Sequence, residues 1–307
     1  MLPTSDAPRE SAPSRVRRRR RWPIILLGLL GVIIAATIIL YPTWRRNTDN
    51  GGQKPVEPFR IAGNFYYVGA NDVASFLITG PQGHILIDGG YPGTAPLIMA
   101  SIAKLGFNIR DVKVLLNSEP HFDHGGGLAA LQKASGAQLW ASAASARVLS
   151  SGGYDAGIAK PIGLITWLIR YPAPHVDHVV KDGDTITVGP TKVTAHLTPG
   201  HTAGCTSWTF PVRDGDRALN VVSACSLVGL GNAHYPGQRS DFERTFRVLH
   251  GLPADIWVTS HARLFGRYRK FVASRTAKDP ADAFIDPAGY RAYVDSGEAR
   301  FRRGQEH

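Results

Sequence analysis

Short apolar runs alternate along the chain with segments whose apolar residues recur every three or four positions. Val112–Leu116 has the length and character of a buried strand. The segment that precedes Gly106, a residue type that often ends helices, has its apolar residues on one helical face: Leu97, Ile98, Ile102 and Leu105. This alternation of two periods predicts an α/β fold.

Two more helices are predicted in the last quarter of the chain. Ser240 followed by Glu243 matches a capping box and precedes an amphipathic segment. Asp286 followed by Pro287 matches an N-cap residue with a first-turn proline. We therefore expect one helix to begin at Ser240 and another at Asp286.

The segment Glu119–His124 carries the strongest chemical signal. It contains two imidazoles and two carboxylates, and it leads through Gly125–Gly127 into a helical pattern. The segment is therefore expected on a loop between a buried strand and a helix, at the sheet edge where α/β folds hold their ligands. Imidazole and carboxylate are common zinc ligands, so the sequence predicts a metal site there.

Single histidines also follow two later strand-like runs. His201 comes after Lys192–Leu197, and His261 comes after Ile256–Ser260. If the three strands are neighbours in one sheet, their carboxyl ends bring these histidines to the Glu119–His124 segment.

The order of these segments resembles the metallo-β-lactamase superfamily, whose usual motif His-x-His-x-Asp-His precedes two later histidines on separate loops. The resemblance covers about residues 58–303. It is most similar to the third subclass of class B β-lactamases in four stretches: "FYYVGANDVASFLIT", "ILIDGGY", "TPGHTAGCTSW" and "FIDPAGYRAYVDSGEARF". The resemblance implies a four-layer αβ/βα sandwich with two sheets between helical layers.

The resemblance also implies a two-zinc centre. Its ligands would be Glu119, His121 and His201 for the first zinc, and Asp123, His124 and His261 for the second. A bridging water or hydroxide would attack the β-lactam amide, and Asp123 would orient it. Glu119 replaces the first histidine of the motif, but a carboxylate of similar reach is an acceptable zinc ligand.

The segment Val221–Leu227 bears on the substrate. Thioesterases, lactonases and phosphodiesterases of the superfamily commonly place a bridging aspartate here, and this chain has no carboxylate in the segment. That difference favours a β-lactamase. By resemblance, Ser226 would help to hold the substrate carboxylate; a serine that caps the strand end is the alternative interpretation.

Two other functions remain open at this stage. The chain is consistent with another hydrolase of the same fold, acting on a lactone, thioester or phosphoester. It is also consistent with a non-catalytic envelope binding protein in which Glu119 marks a decayed site. The five other ligand positions favour a working enzyme.

The two cysteines, Cys205 and Cys225, have three possible states. They are free thiols in the core, or they form a bridge between adjacent strands. Alternatively, Cys225 supplies a thiolate to the second zinc, because other β-lactamase subclasses use a cysteine beside this position.

The first part of the chain has a different composition from the rest. Residues 22–41 contain no charge and are long enough to cross a bilayer as a helix, and arginines concentrate before them. We predict a basic cytoplasmic tail over residues 1–21, a single-pass inner-membrane anchor over 22–41, a linker over 42–57 and a periplasmic metallo-β-lactamase domain over 58–303. A cleaved signal peptide that releases the domain is the alternative.

The net charge of +11 belongs mostly to this first part of the chain. Residues 1–46 contain nine arginines and two acidic residues, a net charge of +7, which leaves +4 for the rest. The basic charge therefore indicates membrane topology and no nucleic-acid partner. The membrane is an expected partner, and the family resemblance implies a small β-lactam as the other.

A glycine-rich and then strongly apolar stretch, residues 151–174, lies between the motif and His201. Three structures are open for it: a lid over the site, a helix in the core, or a patch that rests on the membrane. Tyr154 and Trp167 within it, and Tyr235 by family position, are expected to contact substrate.

Overall fold

The computed structural model describes residues 22, 26–35, 52–154, 170–227 and 235–304. The chain divides into two compact units, Met1–Thr48 and Asp49–His307. In the first unit, residues 26–35 are helical and exposed.

The predicted membrane anchor, residues 22–41, lies in part outside the described residues. Among the residues that are described, none of the helices combines the length and apolar character needed to cross a membrane. Export to the periplasm stays a prediction.

The second unit contains two mixed sheets. The first has seven strands in chain order: β1 (Phe59–Ala62), β2 (Phe65–Tyr67), β3 (Phe76–Ile78), β4 (His84–Ile87), β5 (Val112–Leu116), β6 (Gln138–Ser142) and β7 (His178–Val180). The second has five strands in the order β12-β11-β10-β9-β8: β8 (Thr185–Val188), β9 (Thr191–Leu197), β10 (Thr206–Asp214), β11 (Arg217–Ala224) and β12 (Ile256–Thr259). The pairs from β4 to β7 are parallel, as is β11 with β12, and the other pairs are antiparallel.

Helices cover the outer faces of both sheets. Within the described ranges they are α1 (Ala95–Lys104), α2 (Phe122–Gly125), α3 (Leu128–Ser135), α4 (Ala143–Ser150), α5 (Gln238–Gly251), α6 (Arg267–Ser274) and α7 (Pro287–Arg303). Helices α1, α3 and α4 share a core with the first sheet, and α5 and α7 share the other core, which also contains residues of both sheets.

Side-chain alternation along the strands separates the two cores. On β4, Ile85 and Ile87 point into the core between the sheets, whereas Leu86 points into the core beneath the helices. Phe65 on β2 and Phe210 on β10 meet edge to face between the sheets, with ring centroids 5.0 Å apart. Four layers result, and the predicted sandwich is confirmed.

Two of the three predicted helix boundaries are confirmed. Gly106 follows α1 with φ of 87°, a left-handed conformation that suits glycine. Asp286 accepts a hydrogen bond from the Gly289 amide (2.9 Å) at the start of α7. The prediction that a helix begins at Ser240 is wrong: α5 begins at Gln238, and the Ser240 hydroxyl donates to the Gly237 carbonyl inside the first turn.

The last part of the predicted linker belongs to the folded unit. The Gly52 carbonyl accepts a hydrogen bond from the Val73 amide (3.2 Å), and the Lys54 carbonyl accepts one from the Asn71 amide (2.9 Å). The domain therefore begins before Pro58, because these backbone groups pair with the loop after β2.

Candidate metal centre

The predicted ligands lie together where strands of both sheets end. The structure forms two groups, Glu119 with His121 and His201, and Asp123 with His124 and His261, whose ligand atoms lie within 4.8 Å of one another in each group. The expectation that one sheet supplies all three loops is wrong. β5 lies in the first sheet and β9 and β12 lie in the second, and packing the sheets face to face brings the loops together.

The first group has the spacing of a zinc site. Glu119 Oε2 lies 2.8 Å from His201 Nε2 and 3.1 Å from His121 Nδ1, and the two nitrogens are 3.1 Å apart. Tetrahedral zinc with bonds of about 2.0–2.1 Å separates neighbouring ligand atoms by roughly 3.3–3.4 Å. These three side chains therefore fit a zinc ion.

The second group has similar dimensions. Asp123 Oδ2 lies 3.2 Å from His124 Nε2 and 3.6 Å from His261 Nε2. The two imidazole rings are nearly perpendicular, at 86°, with centroids 5.0 Å apart. A carboxylate and two imidazoles are again ordinary zinc donors.

Electrostatics also fit the centre to a cation. Burial opposes ionisation of Glu119, but His201 and His124 outweigh it and hold the pKa of this carboxyl well below its usual range. Burial would lower the pKa of His124, but Asp123 and Glu119 raise it to about 10. The centre therefore favours positive charge at neutral pH, as a metal-binding donor set does.

Hydrogen bonds fix the backbone before Glu119. The Asn117 side-chain amide donates to the Glu119 carbonyl (2.7 Å), and the Trp208 indole donates to the Ser118 hydroxyl (3.2 Å). Asp88 Oδ1 accepts a hydrogen bond from the Ser118 amide (2.7 Å). Asp88 is itself held at φ of 62°, a value uncommon outside glycine. The segment is thus anchored to both sheets.

Asp72 contacts a predicted ligand, His261, and the sequence does not reveal this contact. Its Oδ2 lies 3.2 Å from His261 Nδ1, and its Oδ1 accepts a hydrogen bond from the Arg263 amide (3.0 Å). A carboxylate in this position fixes the ring and tautomer of a ligating histidine, which turns Nε2 toward the metal. Asp72 precedes His261 by 189 positions, so no local pattern links them.

Asp72→Ala is expected to weaken the second metal site by about 10- to 100-fold, as loss of such a partner typically does. The first site keeps its ligands, and its affinity should not change. Zinc titration against a competing chelator measures both sites. Asp72→Asn keeps an oxygen for the Arg263 amide and should lose less affinity. Equal losses at both sites would instead indicate a general folding defect.

Ser226 and the cysteines lie behind Glu119. The Ser226 hydroxyl is 2.6 Å from Glu119 Oε1, a contact that differs from the predicted one with substrate. Cys205 and Cys225 form a disulfide between the segments that flank β10 and β11. Of the three cysteine states, the bridge is the one observed, and the thiolate ligand is wrong because the sulfur is already bonded.

The other three residues predicted to contact substrate are Tyr235, Tyr154 and Trp167, and the structure describes the first two. Tyr235 donates a hydrogen bond to Asp241 (2.9 Å), and the neighbouring Gln238 donates to the Gly200 carbonyl (2.8 Å), next to His201. Tyr154 is partly exposed at the end of the α4 segment. Trp167 and most of the apolar stretch, residues 155–169, lie outside the described residues.

Two kinds of comparison place the chain among known proteins. The sequence model of the metallo-beta-lactamase superfamily matches residues 68–215. Solved structures match over most of the chain. The Rm3 metallo-beta-lactamase is 41% identical, with a TM-score of 0.75, over 83% of this chain and 96% of that one. Native FEZ-1 metallo-beta-lactamase from Legionella gormanii is 36% identical, with a TM-score of 0.77, over 83% and 97%. BJP-1, a subclass B3 metallo-beta-lactamase of Bradyrhizobium japonicum, is 35% identical, with a TM-score of 0.75, over 84% and 97%.

Curated relatives are matched over a smaller part. The hydroxyacylglutathione hydrolase of Jannaschia sp. (strain CCS1) is 30% identical over 160 residues, which are 52% of this chain and 47% of that protein. The enzyme of the same name from Rhodopseudomonas palustris (strain BisB18) is 29% identical over 54% and 52%. The chain thus spans about half the length of the curated relatives that it matches.

Proposed function

The chain belongs to the metallo-β-lactamase superfamily, and we propose that it is a zinc-dependent hydrolase that opens β-lactam rings. The observation that carries this proposal is the absence of a carboxylate from Val221–Leu227, the segment that forms the end of β11 and contains Cys225 and Ser226. Thioesterases, lactonases and phosphodiesterases of the superfamily commonly have a bridging aspartate there. Further support comes from the solved β-lactamases, which are 35–41% identical and are matched over nearly their whole length.

When bound, two zinc ions supply Lewis acidity for the amide carbonyl and activation of a water molecule. Glu119, His121 and His201 would hold one ion, and Asp123, His124 and His261 the other. Glu119 is buried, whereas the side chains of His121, Asp123 and His261 are 25%, 23% and 22% exposed. The substrate therefore reaches the centre on the side that these three residues form.

The chain's own residues orient the reactants. Asp123 lies on the accessible side and accepts a hydrogen bond from the attacking water, which aims its oxygen at the carbonyl carbon. The oxygen of the water adds to that carbon, the carbon–nitrogen bond breaks, and the proton that the water loses ends on the nitrogen. Asp72 keeps His261 in place through these changes, because it binds the far nitrogen of the ring.

Thioester hydrolysis is the second candidate function. The curated relatives named hydroxyacylglutathione hydrolase support it, although they are matched over only about half of their length. A site of this kind polarises a thioester carbonyl by the same chemistry, so the two candidates differ in substrate fit and share the mechanism.

A substrate panel separates these functions. We expect the purified full chain with zinc to hydrolyse a penicillin, a cephalosporin or a carbapenem with kcat/KM about 100-fold or more above that for a hydroxyacylglutathione thioester, a lactone or a phosphodiester. A preference for the thioester would establish the second candidate. Stoichiometric zinc binding without turnover of any of these would indicate a binding protein.

A further inference from the structure

Ser226 contacts Glu119 on the buried side of the metal centre. Its hydroxyl lies 2.6 Å from Glu119 Oε1, and the residue is only 4% exposed. The other carboxylate oxygen, Oε2, faces His121 and His201. The two oxygens of Glu119 therefore have different neighbours: Oε2 lies between His121 and His201, and Oε1 lies 2.6 Å from Ser226 and 3.5 Å from His124 Nε2.

The protons on Ser226 and Glu119 determine which of the two donates the hydrogen bond. A carboxylate that binds a metal is deprotonated and can only accept hydrogen bonds. A serine hydroxyl has one proton, so Ser226 donates that proton to Glu119. The same proton is then unavailable to the carboxylate of a substrate.

The backbone around Ser226 is held in place. The preceding residue, Cys225, is joined to Cys205 by a disulfide. The Cys225 amide also donates a hydrogen bond to the Ser207 hydroxyl (3.0 Å), which lies on β10. The second sheet thus holds the backbone immediately before Ser226, and the contact of its hydroxyl with Glu119 is made without substrate.

We propose that Ser226 is a positioning residue for Glu119, that it directs Oε2 to the first metal by satisfying Oε1, and that it does not bind the substrate carboxylate. The proposal rests on the proposed function in so far as Glu119 is assigned to a zinc ion. A carboxylate ligand has a second oxygen. Near Oε1 of Glu119 the other polar atom is His124 Nε2 at 3.5 Å, which belongs to the second ligand group. Without Ser226 this buried oxygen would have no hydrogen-bond donor of its own, and such a group is costly. The serine removes that cost and holds the carboxylate in the orientation that turns Oε2 toward His121 and His201.

The test compares metal affinities of the full-length protein. Ser226→Ala is expected to weaken the first zinc site by about 10- to 100-fold and to leave the second unchanged. Ser226→Thr keeps the hydroxyl and should retain the affinity of the first site. Ser75→Ala is the matched control, because Ser75 has a buried hydroxyl without a partner among the described residues. Zinc titration against a chelator, and the absorption spectrum of the cobalt-substituted protein, report each site without substrate.

The same substitution in a Glu119→His variant tests whether Ser226 acts through Glu119. In Glu119→His the carboxylate is absent, so adding Ser226→Ala should change the affinity of the first site by less than about threefold, within the usual limit of additivity. At saturating zinc, Ser226→Ala should hydrolyse a β-lactam with KM within about twofold of the wild type, because the substrate does not use this hydroxyl.

Several outcomes would overturn the proposal. A raised KM with normal zinc affinity would make Ser226 a substrate-binding residue. Equal loss at both metal sites, or an equal loss in the Glu119→His background, would show a structural role that does not pass through Glu119.

One outcome separates this proposal from the proposed function. Selective loss of the first zinc in a protein that hydrolyses no β-lactam would refute the proposed function and support the assignment of Ser226.

Discussion

Chelation of the metal is expected to lower β-lactam turnover by about 10³-fold or more, and added zinc should restore it. Metal catalysis of this kind contributes several kcal/mol, and each 1.4 kcal/mol or so corresponds to a factor of ten in rate. Among the described residues of the centre, those that substrate can reach are His121, Asp123 and His261. Imidazole and carboxylate groups do not polarise a carbonyl as a metal ion does, so they cannot replace the zinc. Initial rates before chelation, after chelation and after add-back measure the effect.

The same treatment should also lower the melting temperature. Zinc binds the folded protein, and binding at 100-fold above Kd stabilises it by about 2.7 kcal/mol per site. For a domain of this size that energy shifts Tm by roughly 5–10 °C for each site that loses its zinc. Chelator saturated with zinc in advance is the control and should change neither rate nor Tm. Turnover that survives complete removal of the metal would refute a zinc mechanism.

The sequence predicts that these six side chains lie together because each belongs to a local pattern. His201 lies four residues after β9, His261 two residues after β12, and Glu119 three residues after β5. The end of a strand can be recognised from a few neighbouring residues of the sequence, and so can a histidine that follows it. Which sheet each strand joins depends on long-range pairing, and the expectation of a single sheet fails for that reason.

Residues that orient the ligands are harder to predict. Asp72 and His261 meet across 189 positions, and Ser226 and Glu119 meet across 107. Ser226 shows this limit: the resemblance implies a contact with substrate, whereas in the structure its hydroxyl contacts the Glu119 carboxylate. Glu119 stands where the family motif has a histidine, and its carboxylate brings a second oxygen, Oε1, which accepts the hydrogen bond from Ser226.

The misplaced start of α5 has a local cause. Ser240 and Glu243 satisfy the spacing of a capping box, but Gly237 adopts φ of 86° and serves as the N-cap. Glycine is also accepted at N-caps. The Ser240 hydroxyl then donates to the Gly237 carbonyl in the first turn, so a cap motif in sequence is used as an internal contact.

Glu119→Ala is expected to reduce zinc content from near two per chain to near one at limiting free zinc. The substitution removes one of three protein ligands from the first group and none from the second. The loss at the first site should exceed the factor of about 10–100 that removal of an outer partner costs. It should therefore exceed the effect of Ser226→Ala, which leaves the carboxylate present.

Two further substitutions separate geometry from charge. Glu119→Gln keeps a carbonyl oxygen but no charge, so its first-site affinity should lie between those of the wild type and Glu119→Ala. Glu119→His restores the usual motif of the superfamily and should keep both metals. The second site serves as an internal control in every variant, because Asp123, His124 and His261 are unchanged.

The measurements are metal content after dialysis at fixed free zinc and the rate of β-lactam hydrolysis in the same samples. Glu119 lies 2.8 Å from His201 and 3.1 Å from His121, so its removal should change the first site directly. Equal zinc content and an unchanged rate in Glu119→Ala would show that this carboxylate is no ligand. Catalysis would then depend on Asp123, His124 and His261, and the hydrogen bond from Ser226 would serve only to satisfy a buried acid.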